Sequence, residues 1–312
     1  MTENVLETLS SGLSHFFKNP ILCLSPIFSY LVAIIFVFVV AGGLFLFFGT
    51  AFLTNPSPAM PSISTASIVS AIILFIVLLV LITFLSSYLS AGLIGMCKEV
   101  EVFGKTTFET LISYGNKFCV RVFGATILLS FFQLLSLIFI LPAVYQLLNT
   151  GITSQMLLDA VNQASVGNSE ALTQIILTAL NSSAVLFVLG FFLMLAYLLI
   201  YSFFFYFPIY AIVIDDLSVM AGIKKSYVLF KAKAIDIAIF ILLIFFITIA
   251  FTWCSYFIAP IFSLAPFLKI IWTLISFIFD IFIITLTAIW SVRRYIILTE
   301  QPVYKEEDLL SY

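Results

Sequence analysis

The sequence predicts an all-α fold: a polytopic membrane helical bundle of six transmembrane helices with three amphipathic interfacial helices. Three observations carry that expectation. Of 312 residues, 63% are hydrophobic and 9% charged, against roughly 45–50% and about 25% in soluble domains. The apolar residues gather into runs long enough to cross a hydrocarbon core, which takes about 20 helical residues. The basic residues fall almost entirely into a few short stretches between alternate runs.

Residues 4–20, NVLETLSSGLSHFFKNP, place Leu6, Leu9, Leu13 and Phe16 on one helical face and Glu7, Ser11, Ser14 and Lys18 opposite, the pattern of a helix lying in the membrane interface. Asn19-Pro20 resets the backbone, because proline disfavours helix in the preceding residue yet fits the first turn of the next. The first span follows at residues 21–48, with a Gly42-Gly43 pair that permits close helix approach. Residues 49–67 carry Pro56, Pro58 and Pro61 and read as an irregular loop. The second span, residues 68–96, gives way to Lys98, Glu99, Glu101 and Lys105. In residues 106–121 the amphipathic pattern returns, with Phe108, Leu111, Gly115 and Phe118 in the apolar column and Glu109, Ser113, Asn116 and Lys117 facing away.

A third span covers residues 122–148, and the loop 149–174 contains SQMLLDAVNQA, a short amphipathic helix. The fourth apolar stretch, residues 183–214, exceeds one perpendicular crossing and contains Pro208, so a tilted or kinked helix is expected. Asp215-Asp216 ends it. The third and most basic amphipathic segment, VMAGIKKSYVLFKAK at 219–233, leads into a fifth span at 234–258, a turn through Pro260 and Pro266, and a sixth span at 269–292. Residues 1–298 form one membrane domain on this reading, and 299–312 a charged tail.

Six spans put both termini on one side. Lys18, Lys98, Lys105, Lys117, Arg121, Lys224, Lys225, Lys231, Lys233, Arg293, Arg294 and Lys305 all fall on that side, and Lys269 on the other. Because Lys and Arg concentrate in cytoplasmic loops, the expected location is the cell membrane, multi-pass, with both termini cytoplasmic. Glu3, Glu7 and the length of the first run argue against a cleaved signal peptide. Cys23 and Cys254 lie in or near apolar runs, and Cys97 and Cys119 flank a charged loop on the reducing side, so no disulfides are expected. The amphipathic copies align without gaps, Leu6 with Phe108 and Met220, and Phe16 with Phe118 and Phe230. That alignment suggests a threefold internal repeat, with units at about 4–97, 106–214 and 218–298.

The stretch DDLSVMAGIKKSYVLFKAKAID after a Pro-containing span, with NVLETLSSGLSHFFKNPIL at the N-terminus, resembles uncharacterised prokaryotic six-helix membrane proteins, especially archaeal ones, related to the membrane domain of glycerophosphodiester phosphodiesterases. The resemblance covers nearly the whole chain and rests chiefly on Gly222, Ile223, Ser226 and the basic residues around them. In those phosphodiesterases a separate soluble barrel holds the chemistry. What the resemblance implies is a fold and a membrane location, without an activity.

Asp280 is the sharpest single residue, lying mid-span where an acid costs about 2.5–3.5 kcal/mol on insertion scales. It is therefore expected to face the bundle interior, protonated or solvated by neutral groups, with Gln133, Thr83 and Thr248 near mid-span as hydrogen-bonding candidates. Lys224, Lys225, Lys231 and Lys233 form a candidate contact for anionic lipid, each charge near an anionic leaflet being worth about 1 kcal/mol. Those same charges serve to hold orientation. His15 is the one histidine, which leaves a His-based metal site or triad without a second member, and it reads as a polar-face or interfacial residue. Trp272 and Trp290 stand toward the two ends of the sixth span as interfacial anchors. No cofactor, metal or nucleic-acid partner is implied, and membrane lipid and other membrane proteins are the partners that fit. The leading expectation is a non-enzymatic structural or accessory protein that organises lipid or a membrane partner complex. The alternative is a transporter or channel using Asp280.

Overall fold

A computed structural model of the chain describes residues 4–54, 65–149, 170–262 and 265–301. Among these residues all regular structure is helical: α1 Val5–Lys18, α2 Leu24–Thr54, α3 Thr65–Phe103, α4 Phe108–Leu134, α5 Leu141–Leu148, α6 Glu170–Phe204, α7 Pro208–Ile214, α8 Val219–Phe262 and α9 Pro266–Leu298. Short 3₁₀ turns at Pro20–Cys23 and Leu135–Phe139 precede α2 and follow α4. Six stretches are long and apolar enough to cross a membrane: Pro20–Gly43, Val69–Phe103, Phe108–Phe139, Ala184–Ile214, Val219–Pro260 and Pro266–Leu298. The chain is thus a multi-pass membrane protein with the six expected spans. The expected helix SQMLLDAVNQA, most of the first loop and most of the tail lie outside the described residues.

The chain folds into two compact units, one made of Met1–Thr126 with Tyr206–Tyr312 and the other of Ile127–Phe205. In the first, α1 begins on a reciprocal cap in which the Asn4 backbone N–H donates to the Glu7 carboxylate at 3.0 Å. The helix ends at Asn19, as Pro20 requires. Its protein-facing side is Val5, Thr8, Gly12 and Phe16. Leu6 and Leu13 of the apolar column, with Phe17, are exposed beside it. The reason is steric: the small Thr8 and Gly12 let the helix sit close on α9, and a Cβ on Gly12 would lie 2.5 Å from Cδ1 of Trp290.

The three amphipathic segments meet their spans in three ways. The first is broken off at Asn19 and Pro20. The second is corrected here, since it is no separate helix: α4 runs unbroken from Phe108 to Leu134, because no proline interrupts it. The third leads into its span through a kink at Lys233, whose φ of −133° and ψ of 43° are not helical. Before that kink, Gly222 seats under Ile212 of α7, a Cβ there falling 2.7 Å from the isoleucine side chain. Four residues on, the Ser226 hydroxyl accepts the Phe207 backbone N–H at 3.2 Å.

Packing is densest at the charged end of this unit, where the buried side chains include Met96 and Val100 of α3, Ile212 of α7, Ile237 and Phe240 of α8, and Ile289 and Ile296 of α9. Farther along the spans, Phe38, Ile73, Val77 and Phe246 are exposed, an apolar surface suited to lipid. The same spans are joined at intervals by polar contacts, such as Ser25 Oγ donating to the Leu89 carbonyl at 2.9 Å.

In the second unit the backbone of α4 loosens into the 3₁₀ turn at Leu135–Phe139. Two tyrosines of α6 satisfy carbonyls beside it: Tyr197 Oη donates to Phe132 O at 2.7 Å and Tyr201 Oη to Leu129 O at 2.8 Å. Gly190 lies against the Phe139 carbonyl so closely that a Cβ would come within 2.3 Å of it. Tyr197→Phe should lower stability by about 1 kcal/mol, the net worth of one such bond, measured by unfolding in detergent micelles. An unchanged midpoint would show that the bond adds nothing. The helix breaks before Pro208: α6 stops at Phe204 and α7 starts on the proline.

Candidate functional site

The polar chemistry of the first unit converges at its charged end. Three chain segments bring it there: α1 supplies His15 and Asn19, the last turns of α3 supply Lys98, Glu99 and Glu101, and the end of α9 supplies Ser291, Arg293, Arg294 and Tyr295. At the centre is Glu101, 0% exposed. One carboxylate oxygen lies 2.7 Å from Arg293 Nη1 and the other 3.0 Å from His15 Nδ1. Arg293 is itself buried, so the acid and the guanidinium neutralise one another out of water. Such a pair holds only when both partners are present.

Around this centre further bonds pin α1. Trp290 Nε1 donates to Leu9 O at 2.9 Å, and Asn19 Nδ2 donates to Gly104 O at 3.2 Å. Phe16 meets Phe282 edge to face with centroids 4.9 Å apart. Beside them Lys98 Nζ donates to Ile214 O at 2.8 Å, and the Asp215 carboxylate accepts from Tyr295 Oη at 2.6 Å and Gln301 Nε2 at 2.7 Å. Asp216 adopts a left-handed φ of 54°, a region that Asp tolerates better than most residues. Its carboxylate meets Lys117 at 2.7 Å and Arg121 at 2.5 Å. Hydrogen bonds from Lys117 first and Arg121 second hold that carboxyl below its ordinary range.

Of the residues the sequence singles out, Asp280 is exposed rather than interior, a correction to the expected position. Tyr30 of α2 stands near it, so a polar neighbour is supplied without burial. Thr83 Oγ1 donates to Leu79 O at 2.8 Å and Thr248 Oγ1 to Ile244 O at 2.9 Å, so both hydroxyls are engaged with their own helices. Gln133 is exposed and belongs to the second unit. Asp280, Thr83 and Thr248 belong to the first unit and Gln133 to the second.

The lysines divide. Lys224 and Lys231 are exposed and Lys225 is half-exposed, none within ion-pair distance of an acid among the described residues. Lys233 sits at the kink, 3.7 Å from Glu300. Trp290 is a correction as well, since it is buried under α1 rather than placed at an interface. So is His15, which joins the buried cluster. Sequence reasoning passes over Glu101 and Arg293 because charges at the end of a span look like a border with water. The available signal is topological: His15, Glu101 and Arg293 each end a segment on the same side of the bundle.

Fold and site together define a multi-pass helical membrane protein whose charged end holds the buried Glu101–Arg293 ion pair, with no group of three or more potential metal-ligating side chains among the described residues. The chain belongs to the family described as a domain of unknown function, DUF7847, whose model matches residues 4–298. No curated protein and no solved structure matches it.

Proposed function

We propose that this is an accessory membrane protein without catalytic chemistry, organising lipid, or a partner held through lipid, at the cytoplasmic leaflet. The observation that carries the reading is the pairing of charges at the basic end. Glu101, Asp215, Asp216, Asp236 and Glu300 each have a donor or cation, whereas Lys224, Lys225 and Lys231 have no acid within reach among the described residues. The surplus positive charge on this end would face the anionic leaflet, in keeping with both termini lying in the cytoplasm. The test is lipid analysis of the full-length protein purified in mild detergent. Retained phospholipid enriched in anionic headgroups over the bulk membrane supports the reading, and retention at the bulk ratio overturns it.

A second reading, a transporter or channel for a small solute or ion, is favoured by Asp280, an acid within the span Pro266–Leu298. Conductance would require a polar path to this residue. Asp280→Asn removes the acid while keeping the size of the side chain, and is expected to leave proton and cation flux into reconstituted vesicles at the level of the unsubstituted protein. A drop in flux would favour transport.

A further inference from the structure

The proposed lipid reading rests on surplus charge, and the structure narrows it to one helix face. A helix turns about 100° per residue, so residues four, seven and eleven apart share a face. In the first part of α8 the face that docks on the rest of the unit is Gly222, Ser226 and Leu229, all buried. Met220, Lys224, Tyr227 and Lys231 follow the same spacing on the opposite side, and all four are exposed. Val228 borders them, also exposed. The outward face is therefore neither a polar face nor an apolar one but a stripe in which Lys alternates with Met and Tyr.

The sequence pattern aligns Met220, Ile223, Tyr227 and Phe230 as one apolar column. The docking of Gly222 and Ser226 turns Met220 and Tyr227 outward together with Lys224 and Lys231, their neighbours on the helix. The nearby acids do not neutralise the stripe. Asp215 is taken by Tyr295 and Gln301, Asp216 by Lys117 and Arg121, Asp236 faces Arg294, and Glu300 faces Lys233. A surface that is both apolar and basic matches the boundary of an anionic bilayer, where lysine stems lie along the acyl region and their ammonium groups reach the phosphates.

The corresponding face of α1 supports the same orientation toward the leaflet. Under the ungapped alignment Met220, Lys224, Tyr227 and Lys231 fall on Leu6, Ser10, Leu13 and Phe17, and these four are likewise exposed. The two segments thus show the leaflet equivalent faces, apolar on α1 and basic on α8.

We infer that the Met220–Lys224–Tyr227–Lys231 face of α8 is a binding surface for anionic phospholipid, with Lys224 and Lys231 on the headgroup phosphates and Met220 and Tyr227 in the interface. Lys233, tied toward Glu300 at the kink, stands apart from it. The test uses the full chain in nanodiscs of phosphatidylcholine alone, or with one third of the lipid replaced by phosphatidylglycerol. Hydrogen exchange is followed across residues 219–233.

Phosphatidylglycerol should slow exchange of this segment in the unsubstituted protein. Each of Lys224→Gln and Lys231→Gln should remove roughly a fivefold share of that protection, the ratio that about 1 kcal/mol per lysine makes. Lys233→Gln should keep the response in full. Matching exchange in phosphatidylcholine discs confirms that the variants are folded, because both glutamines stand on the exposed face. If K224Q/K231Q responds to phosphatidylglycerol as the unsubstituted protein does, this site is wrong while lipid organisation survives. Should the unsubstituted protein itself show no response, both fall.

Discussion

Arg293→Met is expected to destabilise the protein by about 3–5 kcal/mol, the usual cost of stranding one charge of a buried pair. Glu101 is fully buried and its second partner is the His15 imidazole, which cannot replace a permanent cation on the other carboxylate oxygen. The loss would appear as a lower unfolding midpoint in detergent, with the slope unchanged. Removing both charges tests the cause: E101Q/R293M should recover more than half of the loss, since an amide can still accept from His15 and no buried charge remains unmatched. Equal destabilisation in the single and double variants would mean that Arg293 acts through packing alone.

Gly12→Val is expected to undock α1. A Cβ at this position meets Cδ1 of Trp290 at 2.5 Å, Nε1 at 2.9 Å and Cγ2 of Ile289 at 3.3 Å, and neither buried neighbour has room to withdraw. Overpacking of this kind costs about 1–3 kcal/mol, and displacing the indole breaks its bond to Leu9 O, worth about 1 kcal/mol more. Because Trp290 and Arg293 lie one turn apart on α9, the displacement also loosens the cluster around Glu101. Hydrogen exchange should rise sharply in α1 and stay low in the buried second half of α3. Protection of α1 equal to that of the unsubstituted protein would contradict the docking described here.

The two expectations differ in what the sequence could reveal about them. The spans, the break at Asn19-Pro20 and the break before Pro208 were legible because each is written locally, in a run of apolar residues or in a proline. Which face of an amphipathic helix packs was not legible. Hydropathy ranks Leu6 and Leu13 above Thr8 and Gly12, yet close approach favours the small residues, and both Gly12 and Gly222 mark buried faces. The ion pair of Glu101 with Arg293 spans 192 residues of sequence, and local patterning carries no information at that separation. Asp280 shows the opposite error. Its cost in lipid suggested an interior position, whereas the carboxyl is exposed, with Tyr30 of the neighbouring α2 near it.

The proposal places function at the basic end of the molecule and not at mid-membrane, and one side-by-side measurement separates the two. Anionic phospholipid retained by purified protein is quantified for the unsubstituted chain, for D280N and for K224Q/K231Q. Retention should be unaltered in D280N and fall in K224Q/K231Q. Retention that falls in D280N and holds in K224Q/K231Q would contradict it.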